Sequence, residues 1–474
     1  MPTNPSPKTL QDIVERHPSV SAYLYHNASG ARPFPVVPPE FTNWRTEQRA
    51  WRETVALLDQ SYHMTDLYLY GPDAVRLLEQ LGINSFRRFA PGQAKQLVAV
   101  SPDGYVIGDA VLFYLAPETL QLVGRPSVHN WVQFHAETGR LDVTVERDEW
   151  SVQDPSRPRR MFRFQLQGPL APALLEKLHG GPLPPVPFFH WDWIRIGPWR
   201  VRLLHHGMVG VAGGEIFGPF EWAESVREAI VTAGAEFGLQ QVGSRAYGTN
   251  TLESGWISSP IPAVYTAPAL EAYRRWLPAT SYEATGSLGG SFFSPQIEDY
   301  YLTPWDLGYG HLLKFDHDFV GREALEAMRE VRHRTKVTLV WNADDVVRAM
   351  ASWLRRDGLP AKYLDWPVSR YAMWQYDQVL NRSGGKGIGF STSNGFCWND
   401  RAMLSLAMVD PEYADPGTEV VVLWGEPDGG SRKPSVEPHA MKEIRATVAP
   451  VPYAAPARAW RARRGRGMIP GEGT

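Results

Sequence analysis

A single cysteine, Cys397, stands in a chain of 474 residues. One thiol excludes an internal disulfide framework and any cysteine-built zinc or iron–sulfur cage. No run of about 18 apolar residues occurs, so no spanning helix is expected. Met1–Gln11 has no apolar stretch of the kind a secretory signal needs, which makes a cytoplasmic location the expectation. The formal net charge of −3 gives no field for gathering nucleic acid or an anionic membrane, and neither is expected as a partner. Ligand motifs are scarce too. Gly384-Gly385-Lys386 lacks the loop that precedes a phosphate-binding lysine, and no His/Glu cluster has ligand spacing, so no metal is expected.

Aromatic residues, by contrast, are plentiful: 18 Trp within an aromatic content of 12%. Most serve cores and lobe interfaces, and a site for planar ligands would use a few. Apolar content of 43% and charged content of 21% suit a globular chain. The length implies two or three domains.

The organising stretch is Gly104-Tyr105-Val106-Ile107-Gly108-Asp109-Ala110-Val111-Leu112-Phe113-Tyr114. Ser101-Pro102-Asp103-Gly104 supplies a turn, and the β-branched and aromatic residues after it favour a strand. Asp109 lies on that strand, and a buried carboxylate is costly unless something bonds to it. It suits a local backbone contact or a functional acid.

An internal echo sets the architecture. Leu69-Tyr70-Gly71-Pro72 and Leu166-Gln167-Gly168-Pro169 each read as a strand ending before a helix, with Pro suited to the helix's first turn. Their offset of about 97 residues is that of a domain, so a duplicated αβ unit is predicted. Thr46–Leu58 reads as a helix capped by Thr46, and a strand-like segment carrying His63 follows. Phe220–Phe237 has helical spacing. From Thr335 short strand-like runs between turns predict a β-barrel-like domain. The expected division is 1–160 (first lobe with an N-terminal extension), 161–334 (second lobe), 335–454 (barrel) and 455–474, an arginine-bearing tail expected to be disordered.

Taken together, the motifs resemble the folate-binding family of the glycine-cleavage aminomethyltransferase, or T-protein. Gly104–Asp109, Gly214-Glu215-Ile216, Leu252-Glu253-Ser254-Gly255 and Val320-Gly321-Arg322-Glu323-Ala324-Leu325 occur in that family's order. Asn43-Trp44-Arg45-Thr46-Glu47, Val123-Gly124-Arg125, Gly243-Ser244-Arg245-Ala246-Tyr247 and Gly290-Ser291-Phe292 are most similar to its tetrahydrofolate-dependent aromatic O-demethylases, which act on vanillate, 3-O-methylgallate and syringate. The resemblance implies an α+β fold: a three-lobed ring of two ferredoxin-like lobes plus a C-terminal β-barrel. Tetrahydrofolate would lie in the central channel as methyl acceptor, and an aromatic acid would be the second small-molecule partner.

Methyl transfer from an aryl ether needs in-line positioning, a proton for the departing oxygen and a fixed cation for the acid's carboxylate. Arg125 is the expected carboxylate anchor, since a guanidinium grips a carboxylate in a fork. Tyr247 is expected to hydrogen-bond or protonate the ether oxygen. His63 is expected to relay that proton or orient the ring, unless it is simply a satisfied buried histidine. Gln60 and Phe34 are further substrate contacts. Glu215 suits the amine and ring N–H of the pterin, Asp109 the proton balance at N5, and Trp256 either a stacking face or core packing. Arg245 belongs to the expected cofactor-binding set.

One residue departs from the family. Its vanillate-type members carry Tyr where this chain has Phe34, which leaves room for a less polar methoxybenzoate, including a chlorinated one such as dicamba. The rivals are a glycine-cleavage aminomethyltransferase and a non-catalytic folate-binding protein. The Lys-Gly-Cys motif of family members that support iron–sulfur assembly is missing.

Overall fold

Two copies of one strand–helix pattern build the first half of the chain, as the echo predicts. The computed structural model describes residues 6–465, apart from 32–33, 152–156, 258–259, 428 and 430–432, and leaves aside the side chains of 463–465. The first sheet runs, neighbour by neighbour, Ala94–Val100, Val106–Ala116, Thr119–Gly124, Thr65–Tyr70 and Thr144–Asp148. The second repeats that order with Trp191–Ile196, Trp199–His205, Gly213–Pro219, Met161–Gln167 and Gln240–Val242, and inserts Ala56–Asp59 between the last two. Helices Ala74–Leu81 and Ala171–His179 occupy matching places after the first strand of each copy.

Sterics explain the Gly-Pro echo. Gly71 and Gly168 have φ of +127° and +136°, a region open to glycine. A Cβ there would lie 2.3 Å from Asp142 O in one copy and 2.4 Å from Thr54 O in the other. Backbone crosses at the same point twice, so the same residue is required twice.

Several expectations need correcting. The helix expected over Thr46–Leu58 is Trp44–Glu53: the Asn43 side chain caps it by accepting from Thr46 N–H at 3.0 Å. Leu57 and Leu58 are instead strand residues, and Ala56–Asp59 pairs with Met161–Gln167 across the expected boundary at 160. His63 lies in the bend after it, not on a strand. Many residues beyond Gly243 also pack away from the second sheet. Tyr265, Tyr273, Tyr300 and Leu325 join Leu67, Val98 and Leu122 in the core of the first lobe, so much of 244–334 packs there.

The barrel closes through Thr335–Trp341, Ala402–Val409, Gly387–Cys397, Asp377–Asn381, Glu419–Trp424 and Lys442–Ala449. Beyond it, the expected disordered tail begins instead with a helix, Ala455–Gly465. Its apolar side has a seat: Ala457 is buried, and Trp460 packs so closely on Gly207 that a Cβ there would lie 3.0 Å from the indole. Residues 466–474 of that tail lie outside the described residues. No described helix is long and apolar enough to cross a membrane.

Candidate active site

Both sheets, the barrel and the last helix contribute walls to one cavity of about 730 Å³. Every residue expected in the site lines it: Phe34, Gln60, His63, Asp109, Arg125, Glu215, Arg245, Tyr247 and Trp256.

His63 and Tyr247, 184 residues apart in the chain, meet. The Tyr247 hydroxyl lies 3.1 Å from His63 Nε2. Tyr247 ends a short helix, Ser244–Tyr247, whose first turn is tied to the N-terminal extension by Ser244 N–H to Pro38 O at 2.9 Å. The same extension brings Phe34 onto the pair, stacked on His63 at 4.2 Å between ring centroids and tilted against Tyr247 at 4.5 Å. Burial pushes the Tyr247 hydroxyl well above its ordinary range, and the charge of Arg125 draws it partly back. It is therefore a proton-bearing donor at neutral pH. Gln60 is buried nearby, its amide against Met208 Sδ.

Asp109 forms a second centre. Its Oδ2 accepts from Gln96 Nε2 at 2.6 Å, on the neighbouring strand, and from Trp256 Nε1 at 3.1 Å. Oδ1 makes no hydrogen bond. Burial pushes this carboxyl up to about 6; the two hydrogen bonds, the charge of Lys336 and the Tyr309 hydroxyl oppose that rise. Lys336 in turn is pushed down to about 8, by burial first and then by the charge of Arg461.

Glu215 is buried on an interior strand and accepts from Arg163 Nη1 at 2.6 Å. Arg163 also reaches Asp66. Burial raises the Glu215 carboxyl and Arg163 counters it. Arg245 is engaged with the wall itself, donating to Trp366 O and lying 3.4 Å from Glu40. Gln96, Tyr309, Lys336, Arg370, Trp460 and Arg461 also line the cavity and were not anticipated. Away from it, Glu253, Cys397 and Asp400 converge, but the guanidinium of Arg52 pairs with both acids.

The GCVT N-terminal domain matches residues 14–262, over half of the chain. The chain belongs to this family. A syringate O-demethylase from Sphingobium sp. is 48% identical over 462 residues, covering 96% of this chain and 99% of that protein. This bears out the likeness to the family's aromatic O-demethylases. A sesamin methylene transferase from Sinomonas sp. is 31% identical over 439 residues, 89% and 91% of the two chains. The crystal structure of aminomethyltransferase T from Bartonella henselae superposes with a TM-score of 0.60 at 18% identity, over 90% of this chain and 95% of that one. It bears out the aminomethyltransferase fold.

Likeness to the O-demethylase and the methylene transferase over nearly the whole chain makes the protein an enzyme, a methyltransferase with tetrahydrofolate as cosubstrate. The cavity fits that molecule. Its volume lies in the range that encloses ligands of this size. Trp256, Tyr309 and Trp460 offer planar faces, Asp109 an oxygen without a hydrogen bond, and Lys336 and Arg461 positive charge for a carboxylate tail.

Proposed function

We propose that the enzyme transfers the methyl group of a methoxylated benzoate to N5 of tetrahydrofolate, releasing a phenolic acid and 5-methyltetrahydrofolate. One observation carries the reading: the Tyr247–His63 pair, covered by Phe34 and beside Arg125, shares a cavity with the buried carboxyl of Asp109.

Phenolate leaves poorly, so the carbon–oxygen bond breaks only if the oxygen gains a proton or a strong hydrogen bond. Tyr247 keeps its proton at neutral pH and can give it, while His63 in the Nε2–H tautomer donates to the tyrosine oxygen. Arg125 holds the carboxylate and so aims the methoxy group. Tetrahydrofolate supplies the acceptor nitrogen, which loses one proton as the carbon–nitrogen bond forms. Asp109, ionised above about pH 6, takes that proton through Oδ1. Glu215 suits the pterin's amine edge, Trp256 its face, and Arg245 its approach from the short helix.

The relative named for syringate supports a hydroxylated methoxybenzoate such as syringate, vanillate or 3-O-methylgallate. Phe34 favours ring substituents that need no hydrogen bond at that position, dicamba among them. A reaction of this kind draws on reduced folate, and the cytoplasm is the proposed location. Incubation with tetrahydrofolate and a panel of methoxybenzoates, followed by chromatography for 5-methyltetrahydrofolate, tests the proposal. Formation of that product with equimolar phenol is expected, and its absence with every member of the panel would overturn it.

A further inference from the structure

Charges around the cavity do not cancel locally. The three acids among its described lining residues each have a protein partner: Asp109 Oδ2 accepts from Gln96 and Trp256, Glu215 pairs with Arg163, and Asp365 lies 4.0 Å from Arg245. Three of the arginines in its described lining have no acid partner, and one of these, Arg461, donates to Ser254 O instead. Among the described residues, Arg125 and Arg370 make no side-chain ion pair, yet both line the cavity. Both also line an adjoining recess of about 30 Å³, which has no aspartate or glutamate among the described residues of its wall. They therefore border the same two spaces from different lobes. Arg125 stands at the start of the helix Pro126–Thr138 in the first lobe. Arg370 belongs to a loop of the barrel lobe.

We propose that Arg370 is a second substrate-binding arginine, which grips the carboxylate of the aromatic acid together with Arg125. The inference rests on the methoxybenzoate reading above and names the residue that makes the site demand an anion. Two guanidiniums facing one space repel each other when it is empty, and a carboxylate between them relieves that repulsion while accepting two forks. Burial and the charge of Arg125 push Arg370 down to about 10, so it still carries its proton at neutral pH. The backbone on each side is fixed: Ser369 Oγ donates to Asp365 O at 2.8 Å, and Tyr371 N–H donates to Gln375 Oε1 at 3.0 Å. Because the two arms come from separate lobes, an acid held by both also ties the barrel to the first sheet. A neutral ligand would leave the two cations facing each other, so the site discriminates by charge as well as shape.

The test compares wild type, Arg370→Gln, Arg370→Lys and Arg125→Ala, using calorimetry and steady-state kinetics with a methoxybenzoate and the corresponding methoxybenzamide. Loss of one charged hydrogen-bonding arm should raise Kd and KM for the acid by roughly 10–100-fold in Arg370→Gln, as in Arg125→Ala. Its kcat should stay within about threefold of wild type, because the arm holds the substrate equally before and during reaction. The Kd for tetrahydrofolate should not move, and the amide should bind Arg370→Gln no worse than wild type. Unchanged affinity for the acid overturns the proposal. So does a fall in kcat at constant KM, which would assign Arg370 to the departing oxygen instead. Should Arg370→Gln fold poorly, Arg370→Lys decides: it keeps the charge but loses the fork, and must weaken the acid several-fold while sparing the amide. A wild type that binds the acid through Arg370 but forms no 5-methyltetrahydrofolate would sink the proposed reaction and leave the clamp standing.

Discussion

The indole N–H of Trp256 and the amide of Gln96 both donate to Oδ2 of Asp109, at 3.1 and 2.6 Å, and leave Oδ1 without a hydrogen bond. One carboxylate oxygen is thus fixed by the protein, and its twin is buried without a hydrogen bond among the described residues. The two donors favour the ionised form, while burial disfavours it more and lifts the group to about 6 from an ordinary 3.8.

A pH dependence follows from that balance. The proton-accepting form of Asp109 is depleted below about 6 and restored above it, so kcat/KM should climb with pH through that value. A decline is expected near 8, where Lys336 begins to lose the positive charge it offers the carboxylate tail of tetrahydrofolate. Asp109→Asn should abolish the acidic limb and lower turnover by roughly 10²–10⁴-fold. Trp256→Phe removes a donor to the carboxylate and should move the limb to higher pH. Stopped-flow or initial-rate profiles from pH 5 to 9 check both, and an acidic limb that persists in Asp109→Asn would remove this residue from the proton path.

Tyr247→Phe keeps the ring beside Phe34 and His63 and deletes only the hydroxyl 3.1 Å from His63 Nε2. Packing and acid binding should survive, while kcat drops by roughly 10²–10⁴-fold. His63→Gln should have a smaller effect in the same direction, since it retains a group able to donate to the tyrosine oxygen. A matching loss in KM alone, with kcat intact, would make the pair a positioning device without a role in protonation.

How far the sequence disclosed these relationships depends on their range. The duplicated lobes were legible because Gly71 and Gly168 answer the same local clash, and a local clash leaves a local mark. Ala56–Asp59 was not, since Ala-Leu-Leu-Asp has no alternation to distinguish a strand from the end of the preceding helix. Trp256 was expected as a flat face or core packing, yet its N–H on Asp109 depends on two segments 147 residues apart. Lys336 and Arg370 sit on a barrel strand and a barrel loop whose local sequence has nothing unusual. Only the closure of the ring brings them to Asp109 and Arg125. The tail looked unstructured by composition, because the Gly-rich loop that receives it lies some 250 residues earlier in the chain.

Phe34 tests specificity. It stacks on His63 and touches Tyr247 with a ring that cannot donate. Phe34→Tyr adds one hydroxyl at the wall of the aromatic end. A hydrogen bond of about 0.5–1.5 kcal/mol to a ring hydroxyl would shift kcat/KM toward hydroxylated methoxybenzoates by roughly 2–10-fold over their chlorinated or unsubstituted counterparts. Competition assays with paired substrates read that ratio directly. A ratio left unchanged would show that Phe34 acts by covering His63 and not by selecting ring substituents.

The last helix gives the most severe prediction, because its sequence suggested disorder. Trp460 lines the cavity and packs edge-on against Phe188 at 5.6 Å, while Arg461 donates to Ser254 O and adds positive charge beside Lys336. Stopping the chain after Ala454 removes a ring contact of about 0.5–1.5 kcal/mol and a charged contact of about 1.5–3 kcal/mol from the folate end. Together these predict a rise in the Kd for tetrahydrofolate of roughly 30-fold or more. The barrel and both sheets close without these residues, so the shortened protein should still fold and still bind a methoxybenzoate at the Arg125 end. Trp460→Ala and Arg461→Ala should each reproduce part of the loss. Fluorescence titration with tetrahydrofolate separates the outcomes: an unaltered Kd in the shortened chain would make the helix a cover for the Gly-rich loop alone, with no share in holding the cosubstrate.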